Sequence, residues 1–195
     1  MSRKPAREDR RIQIMEALHD CLIKKPFHRT TIKDIADRAG VNHGLLHYYF
    51  ENKEDILINY VEFTANKFDL IFDDLFSEEF EDPQEEVENF DAKCQWILNQ
   101  ISFNQEYTRI YTEIWAIALY NEKLKEKLKE IYIKSREQLA KGVKKFVRSP
   151  AMVDRISLTL MAFWEGMSVM SIFFDKQDMV DKIEYQGILK ALNTP

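Results

Sequence analysis

Asn42, His43, Leu45 and His47 stand within one short stretch directly after Gly40, in the segment TTIKDIADRAGVNHGLLHYYFENK that runs from Thr30 to Lys53. An amide, two imidazoles and an apolar side chain on successive helical positions can hydrogen-bond to base edges or nearby phosphates in a DNA groove and touch a thymine methyl. His43 and His47 are four apart, as two metal ligands on one helical face would be. No cysteine or acidic partner accompanies them at metal-site spacing, and there is no HExxH pattern. A Gly-rich phosphate loop and a nucleophile elbow are also missing, so no motif with a catalytic mechanism is present. The expectation is a protein that is not an enzyme and holds no metal and no cofactor.

The elements that would position these residues are legible around them. Thr31 can cap a short helix, with Asp34 three residues on reaching back to the free amides in a variant of the capping box. Ile32, Ile35 and Ala36 then recur at i, i+3 and i+4, which makes one buried face over roughly two turns. Gly40 suits a tight turn that needs positive φ or no side chain. Asn42 is a good cap for the next helix, where Leu45, Leu46 and Tyr49 are spaced to anchor it, and the small Ala36 allows a close crossing. Spacing alone leaves open an ordinary helical hairpin inside an all-α core.

With its surroundings, the segment resembles the DNA-binding end of the TetR family of repressors. The resemblance rests on Thr30, Thr31, Ile35, Ala36, Ala39, Gly40, Val41, Gly44, Leu46, Tyr49, Phe50, Lys53, Glu54 and Asp55, and spans about Arg7 to Leu57. The family often carries Ser, Lys, Thr and Tyr where this chain has Asn42, His43, Leu45 and His47, so the operator sequence is the chain's own. Thr31, Tyr48, Tyr49 and Lys53 are expected mainly on the DNA backbone, Asn42, His43, Leu45 and His47 on base edges or nearby phosphates, and Leu46 and Phe50 in the core. On that reading Lys53→Ala weakens binding to all sequences and flattens its salt dependence, whereas His43→Ala changes sequence preference. Trp115 to Leu119, the charged helix after it and the Glu165-Gly166-Met167 step are similar to the choline-responsive BetI-like group of that family.

Composition agrees with an all-α protein. The 195 residues include only five Gly and five Pro, and helical periodicity runs nearly throughout. Residues 1–53 carry a net charge of +4 and the remainder −9, within a total of −5. A basic head on an acidic body presents one end to phosphate. Arg3, Lys4, Arg7, Arg10 and Arg11 could also be a solvated basic tail. The two cysteines, Cys21 and Cys94, have no metal or redox spacing, and no secretion signal or membrane span is evident, which points to a reduced, cytoplasmic protein.

Nine helices are expected: an N-terminal three-helix DNA-binding head over residues 1–53 and a C-terminal ligand-binding and dimerisation bundle over 54–195. Helix one spans about Arg7 to Lys25, with Ile12, Met15, Ala17, Leu18, Cys21 and Leu22 apolar and Pro26 ending it. Phe27 is expected beneath the helix pair. Helix four begins at Lys53 and continues to about Phe76. After the acidic SEEFEDPQ break come stretches at about 84 to 103, 106 to 119, 121 to 148, 150 to 174 and 178 to 193. The fourth of these, ISLTLMAFWEGMSVMSIFF, is apolar nearly all round, as for a helix held between its own core and a second subunit.

The family resemblance implies a homodimer through the last two helices, here Phe163, Met167, Met170, Phe174, Ile188 and Leu192, and a palindromic double-stranded DNA operator read as two half-sites. It also implies a pocket for a small-molecule effector, and the aromatic residues Phe68, Phe72, Trp96, Phe103, Tyr107, Tyr111, Trp115 and Trp164 cluster where one would sit. They could line it for a flat or cationic ligand, with Glu113 or Glu165 as counter-charge; as a stripe at helical spacing they could equally be core. A ligand-released repressor is the expected function. The other class left open is a helical adaptor that does not bind DNA, which would lack salt-dependent DNA binding.

Overall fold

The computed structural model describes residues 4–77 and 83–180, without 146 and 148. Among them are nine α-helices and no strand: α1 (Lys4–Lys24), α2 (Ile32–Ala39), α3 (His43–Tyr49), α4 (Lys53–Ser77), α5 (Pro83–Ile97), α6 (Gln105–Ala118), α7 (Glu122–Val143), α8 (Pro150–Met170) and α9 (Lys176–Val180). No helix of the described residues is long and apolar enough to cross a membrane.

The chain divides into two compact units. One runs to Phe68 and takes in Glu113–Ile131; the other holds Asp69–Thr112 and the chain from Tyr132 on. The first unit therefore extends beyond the helix-turn-helix that closes near residue 53, because α4 and the α6–α7 corner contribute to it. Its buried side chains come from each of these elements: Ile14 and Leu18 of α1, Ile35 of α2, Leu46 of α3, Ile56 and Tyr60 of α4, Ile114 of α6 and Leu124 of α7. Phe27 is buried beneath the α2–α3 pair's entry, in a 3-10 turn over Phe27–Arg29 that follows Pro26.

In the second unit the core is built from Phe90, Cys94, Ile97 and Leu98 on α5 and the turn after it, Leu139 and Val143 on α7, and Val153, Ile156, Leu160, Trp164 and Met167 on α8. The expected single helix over 84 to 103 is interrupted. Its last part, Leu98–Ser102, is a π-turn closed by the Phe103 amide donating to the Leu98 carbonyl at 3.0 Å. Helix α8 ends at Met170, earlier than the apolar run, and Ile172, Phe173 and Phe174 follow in an exposed turn. Both cysteines are buried; burial first, and the nearby Asp34 carboxylate second, push the Cys21 pKa up, which makes its thiol a poor nucleophile.

Candidate nucleic-acid interface and ligand cavity

The helix-turn-helix is held by local bonds that its residue types dictate. Thr31 Oγ1 accepts from the Asp34 amide at 3.1 Å while Asp34 Oδ2 accepts from the Thr31 amide at 2.7 Å, a reciprocal capping box with Asp in the Glu position. Asp34 also meets Lys25 Nζ at 2.6 Å, and that ammonium, with Thr31, holds its carboxyl well below the usual range. Gly40 ends α2 in the left-handed region at φ 62°, ψ 33°, where any other residue would be strained. Asn42 caps α3, its Oδ1 accepting from the Gly44 amide at 2.7 Å. A Cβ at Gly44 would lie 3.3 Å from that oxygen, so the glycine gives the cap its room.

Helix α3 then splits cleanly. Leu46 and, just after the helix, Phe50 are buried; Asn42, His43, Leu45, His47 and Tyr48 are exposed, and Tyr49 is half-buried. Leu45 is thus not an anchor of the helix, since 39 % of it is open to solvent. The His43 and His47 rings stand edge to face at 5.1 Å, and among the described residues no group of three metal-ligating side chains forms. Tyr48 is 66 % exposed with the Arg7 guanidinium 5.6 Å from its ring centre. The exposed surface of α3 and its cap accordingly presents two imidazoles, an amide, a phenol and an apolar isobutyl group.

Four side chains frame this pair, and three of them, Arg11, Lys53 and Glu113, had other expected posts. Arg11 does not belong to a solvated tail: it donates to the Tyr49 carbonyl at 2.8 Å and to Asn59 Oδ1 at 2.5 Å, with its guanidinium 4.5 Å from the Phe50 ring centre. It thereby satisfies a carbonyl at the C-terminus of α3, where a cation also complements the helix dipole. Gln13 does the same for α2, donating to the Ala39 carbonyl at 2.6 Å. Lys53, expected on a DNA phosphate, places its ammonium between the Phe27 and Thr30 carbonyls at 2.8 and 3.0 Å and 4.2 Å from the Phe27 ring centre. On the other side of the same residue, Glu113 accepts from the Phe27 amide at 2.7 Å, a role distinct from the counter-charge expected of it. The register of Arg11 with Met15, Leu18 and Leu22 on the inner side of α1 was the signal available for one of these; the acceptors themselves carry no sequence signature.

A cavity of about 120 Å³ opens in the second unit, lined by residues of α4, α5, the π-turn, α7 and α8. Two of the eight aromatics expected around a pocket, Phe72 and Trp164, are on its wall. Phe103 is buried in the core beside it, Trp96 is 39 % exposed, Tyr107 and Tyr111 are half-buried on α6, and Phe68 and Trp115 belong to the first unit. Tyr132, which the aromatic pattern missed, takes part instead, donating to Glu165 Oε1 at 2.9 Å. Burial pushes the Glu165 pKa up, and the Tyr132 hydrogen bond only partly opposes it. A folded-state pKa above the unfolded value means that stability is present at low pH and lost as pH rises from about 4 through the raised value. Glu165→Gln is therefore expected to melt at least about 2 °C above the unmodified chain at pH 7.5 and with it at pH 4; equal melting at both pH values would contradict this burial cost.

Of the residues expected in a dimer interface, Met170 and Phe174 are 44 % and 52 % exposed. Met167 is instead in the second unit's own core, and Phe163 is half-buried against it, because both fall on the stripe shared with Leu160 and Trp164. Ile188 and Leu192 lie outside the described residues.

A three-helix head whose second and third helices make a capped helix-turn-helix, on a chain that is helical elsewhere, defines a DNA-binding protein of the helix-turn-helix class. Residues 14–60 match the profile of bacterial regulatory proteins of the tetR family. Over those residues the head is similar to that of the tetR family. Among its relatives is the fatty acid metabolism regulator protein of Bacillus subtilis (strain 168), 40% identical over 48 residues, 25% of each chain. The matched segment spans about a quarter of the length of the first curated relatives. Solved structures with the same fold cover nearly the whole chain. A transcriptional regulator FadR from Bacillus subtilis, in complex with stearoyl-CoA, aligns with TM-score 0.69 at 17% identity over 93% of this chain and 94% of its own. A transcriptional regulator from Saccharomonospora viridis, in complex with choline, aligns with TM-score 0.67 at 19% identity over 95% and 94%.

Proposed function

We propose that this protein is a ligand-responsive transcriptional regulator, a repressor that binds a palindromic operator as a homodimer and releases it when a small molecule occupies the second unit. The observation that carries the reading is the exposed face of α3, with Asn42, His43, Leu45, His47 and Tyr48 presented together on a capped helix-turn-helix. Imidazole and amide groups are suited to base edges, Leu45 to a thymine methyl, and Tyr48 with Arg7 to phosphate. Thr31 and Asn42 serve first as caps, which leaves the Asn42 amide nitrogen for DNA.

Selection from a random duplex pool with purified protein, repeated at two salt concentrations, tests it. A palindromic consensus whose affinity falls with salt supports the operator-binding dimer. Folded protein that enriches no sequence would overturn the reading in favour of an adaptor. For the ligand, two neighbours of the same fold were solved with stearoyl-CoA and with choline, so the fold admits effectors of very different chemistry. Release would follow from differential affinity for the two head arrangements, typically ~1–3 kcal/mol of coupling.

Support for a dimer comes from a stripe on α8 and the turn after it. Leu158, Ala162, Gly166, Met170 and Phe173 recur on one side and are all exposed. Small residues flanked by large apolar ones let a second helix approach closely, and a Cβ at Gly166 would meet nothing within 4 Å in this chain. Gly166→Arg is therefore expected to leave folding intact and convert dimer to monomer in sedimentation. A variant that stays dimeric would move the interface elsewhere.

A further inference from the structure

The cavity of the second unit carries an inference that rests on the effector reading and extends it to a class of molecule. Most of its wall is apolar, with Ile97, Ile101, Leu139 and Met161 on it, and aromatic side chains reach it from three helices: Phe72 of α4, Tyr132 of α7 and Trp164 of α8. Its one carboxyl is Glu165, half-buried. Asp69 of the same unit, buried as a whole residue, is instead paired with Lys134 Nζ at 2.5 Å. Glu165 has a phenol and no cation among the described residues, although taking a carboxylate from water without a counter-ion is costly.

A small cation entering the cavity would supply the missing partner. The aromatic rings would also favour it, since their faces attract positive charge, more strongly when desolvated. An anion would meet Glu165 as a like charge, and a neutral guest would leave it unpaired. Size suits a small guest: a dry cavity of about 150 Å³ holds benzene, so a molecule of roughly six non-hydrogen atoms would fill this one. The π-turn gives the pocket a built wall. Ile101 and Ser102 line it, and the Ser102 carbonyl, turned out of the α-helical ladder, accepts at 3.4 Å from Thr108 Oγ1.

We propose that this cavity binds a small organic ammonium ion, with Glu165 as its counter-ion and Phe72, Tyr132 and Trp164 around the charge. Calorimetric titration of the full chain with tetramethylammonium chloride, tert-butanol and sodium hexanoate, at constant ionic strength, tests it. Tetramethylammonium and tert-butanol share a branched shape and differ in charge. The expected result is saturable tetramethylammonium binding, with tert-butanol and hexanoate weaker by about tenfold or more. Glu165→Gln should lose about tenfold or more of the tetramethylammonium affinity. Tyr132→Phe, which keeps both the ring and the carboxylate, should stay within about threefold; melting curves confirm that both variants fold. Equal binding of tert-butanol and tetramethylammonium, unchanged binding by folded Glu165→Gln, or no saturable binding of tetramethylammonium would overturn the assignment. The titrations contain no DNA, so they stand apart from the regulator reading. Operator release by hexanoate and not by tetramethylammonium overturns the cation assignment and leaves the regulator intact. Failure to select any operator removes the regulator, while saturable, Glu165-dependent tetramethylammonium binding would still uphold the site.

Discussion

Leu46→Ala is expected to destabilise the first unit by about 2–5 kcal/mol and to remove DNA binding on every sequence alike. Leu46 is 0 % exposed, and it is the residue through which the seven-residue α3 is buried. Truncation would lose both the transfer energy of the side chain and the contacts around the cavity left behind. Against a total stability of roughly 5–15 kcal/mol, that is enough to release α3 from its seat. Its neighbour is the control. Leu45→Ala should change stability by less than about 0.5 kcal/mol, because the side chain faces solvent, and should instead alter which duplexes are preferred. Urea denaturation of both variants, with selection on the same duplex pool, separates the two. If Leu45→Ala proved the more destabilising, the orientation of α3 described here would be wrong.

That pair also marks how far sequence reading reaches. The capping box of Thr31 and Asp34, the left-handed Gly40 and the Asn42 cap were legible because each is a bond between residues a few positions apart, set by residue type. Leu45 and Leu46 are the same residue type in adjacent positions of a helix only seven residues long, where the periodic signal is weak. The family pattern placed Leu46 in the core; spacing by itself proposed both as anchors. The framing contacts were beyond reach for a different reason. Arg11 bonds across 38 and 48 positions and Glu113 across 86, to backbone carbonyls and an amide that every residue carries. Of the aromatic residues expected around a pocket, Phe72 and Trp164 line the cavity of the second unit, since helical rotation decides whether a ring joins the core, as Phe103 does, or the cavity, as Trp164 does. Glu165 was legible as a carboxyl in an apolar run, but Tyr132 as its partner was not.

The reassignment of Lys53 leads to the second large effect. An ammonium that donates to the Phe27 and Thr30 carbonyls and sits against the Phe27 ring holds the entry to α2 in place, and Glu113 holds the same residue by its amide. Charge-assisted hydrogen bonds are worth about 1.5–3 kcal/mol each, less where solvent screens them, so Lys53→Ala is expected to cost the first unit roughly 1–3 kcal/mol. Glu113→Ala should cost a similar or smaller amount by leaving the Phe27 amide without its acceptor. Because both act on one residue, the double variant should lose less than the two single losses together, with a coupling of at least about 0.5 kcal/mol. DNA binding supplies the decisive comparison. A lysine whose ammonium is engaged by the Phe27 and Thr30 carbonyls and the Phe27 ring is not expected to contact a phosphate directly, so Lys53→Ala should lower affinity on all duplexes while the slope of log K against log salt stays unchanged. A slope reduced by about 1 would return Lys53 to the phosphate backbone, and with it the sequence-based expectation. An unchanged slope together with non-additive stability losses would establish residue 27 as the point at which α4 and α6 together fix the helix-turn-helix.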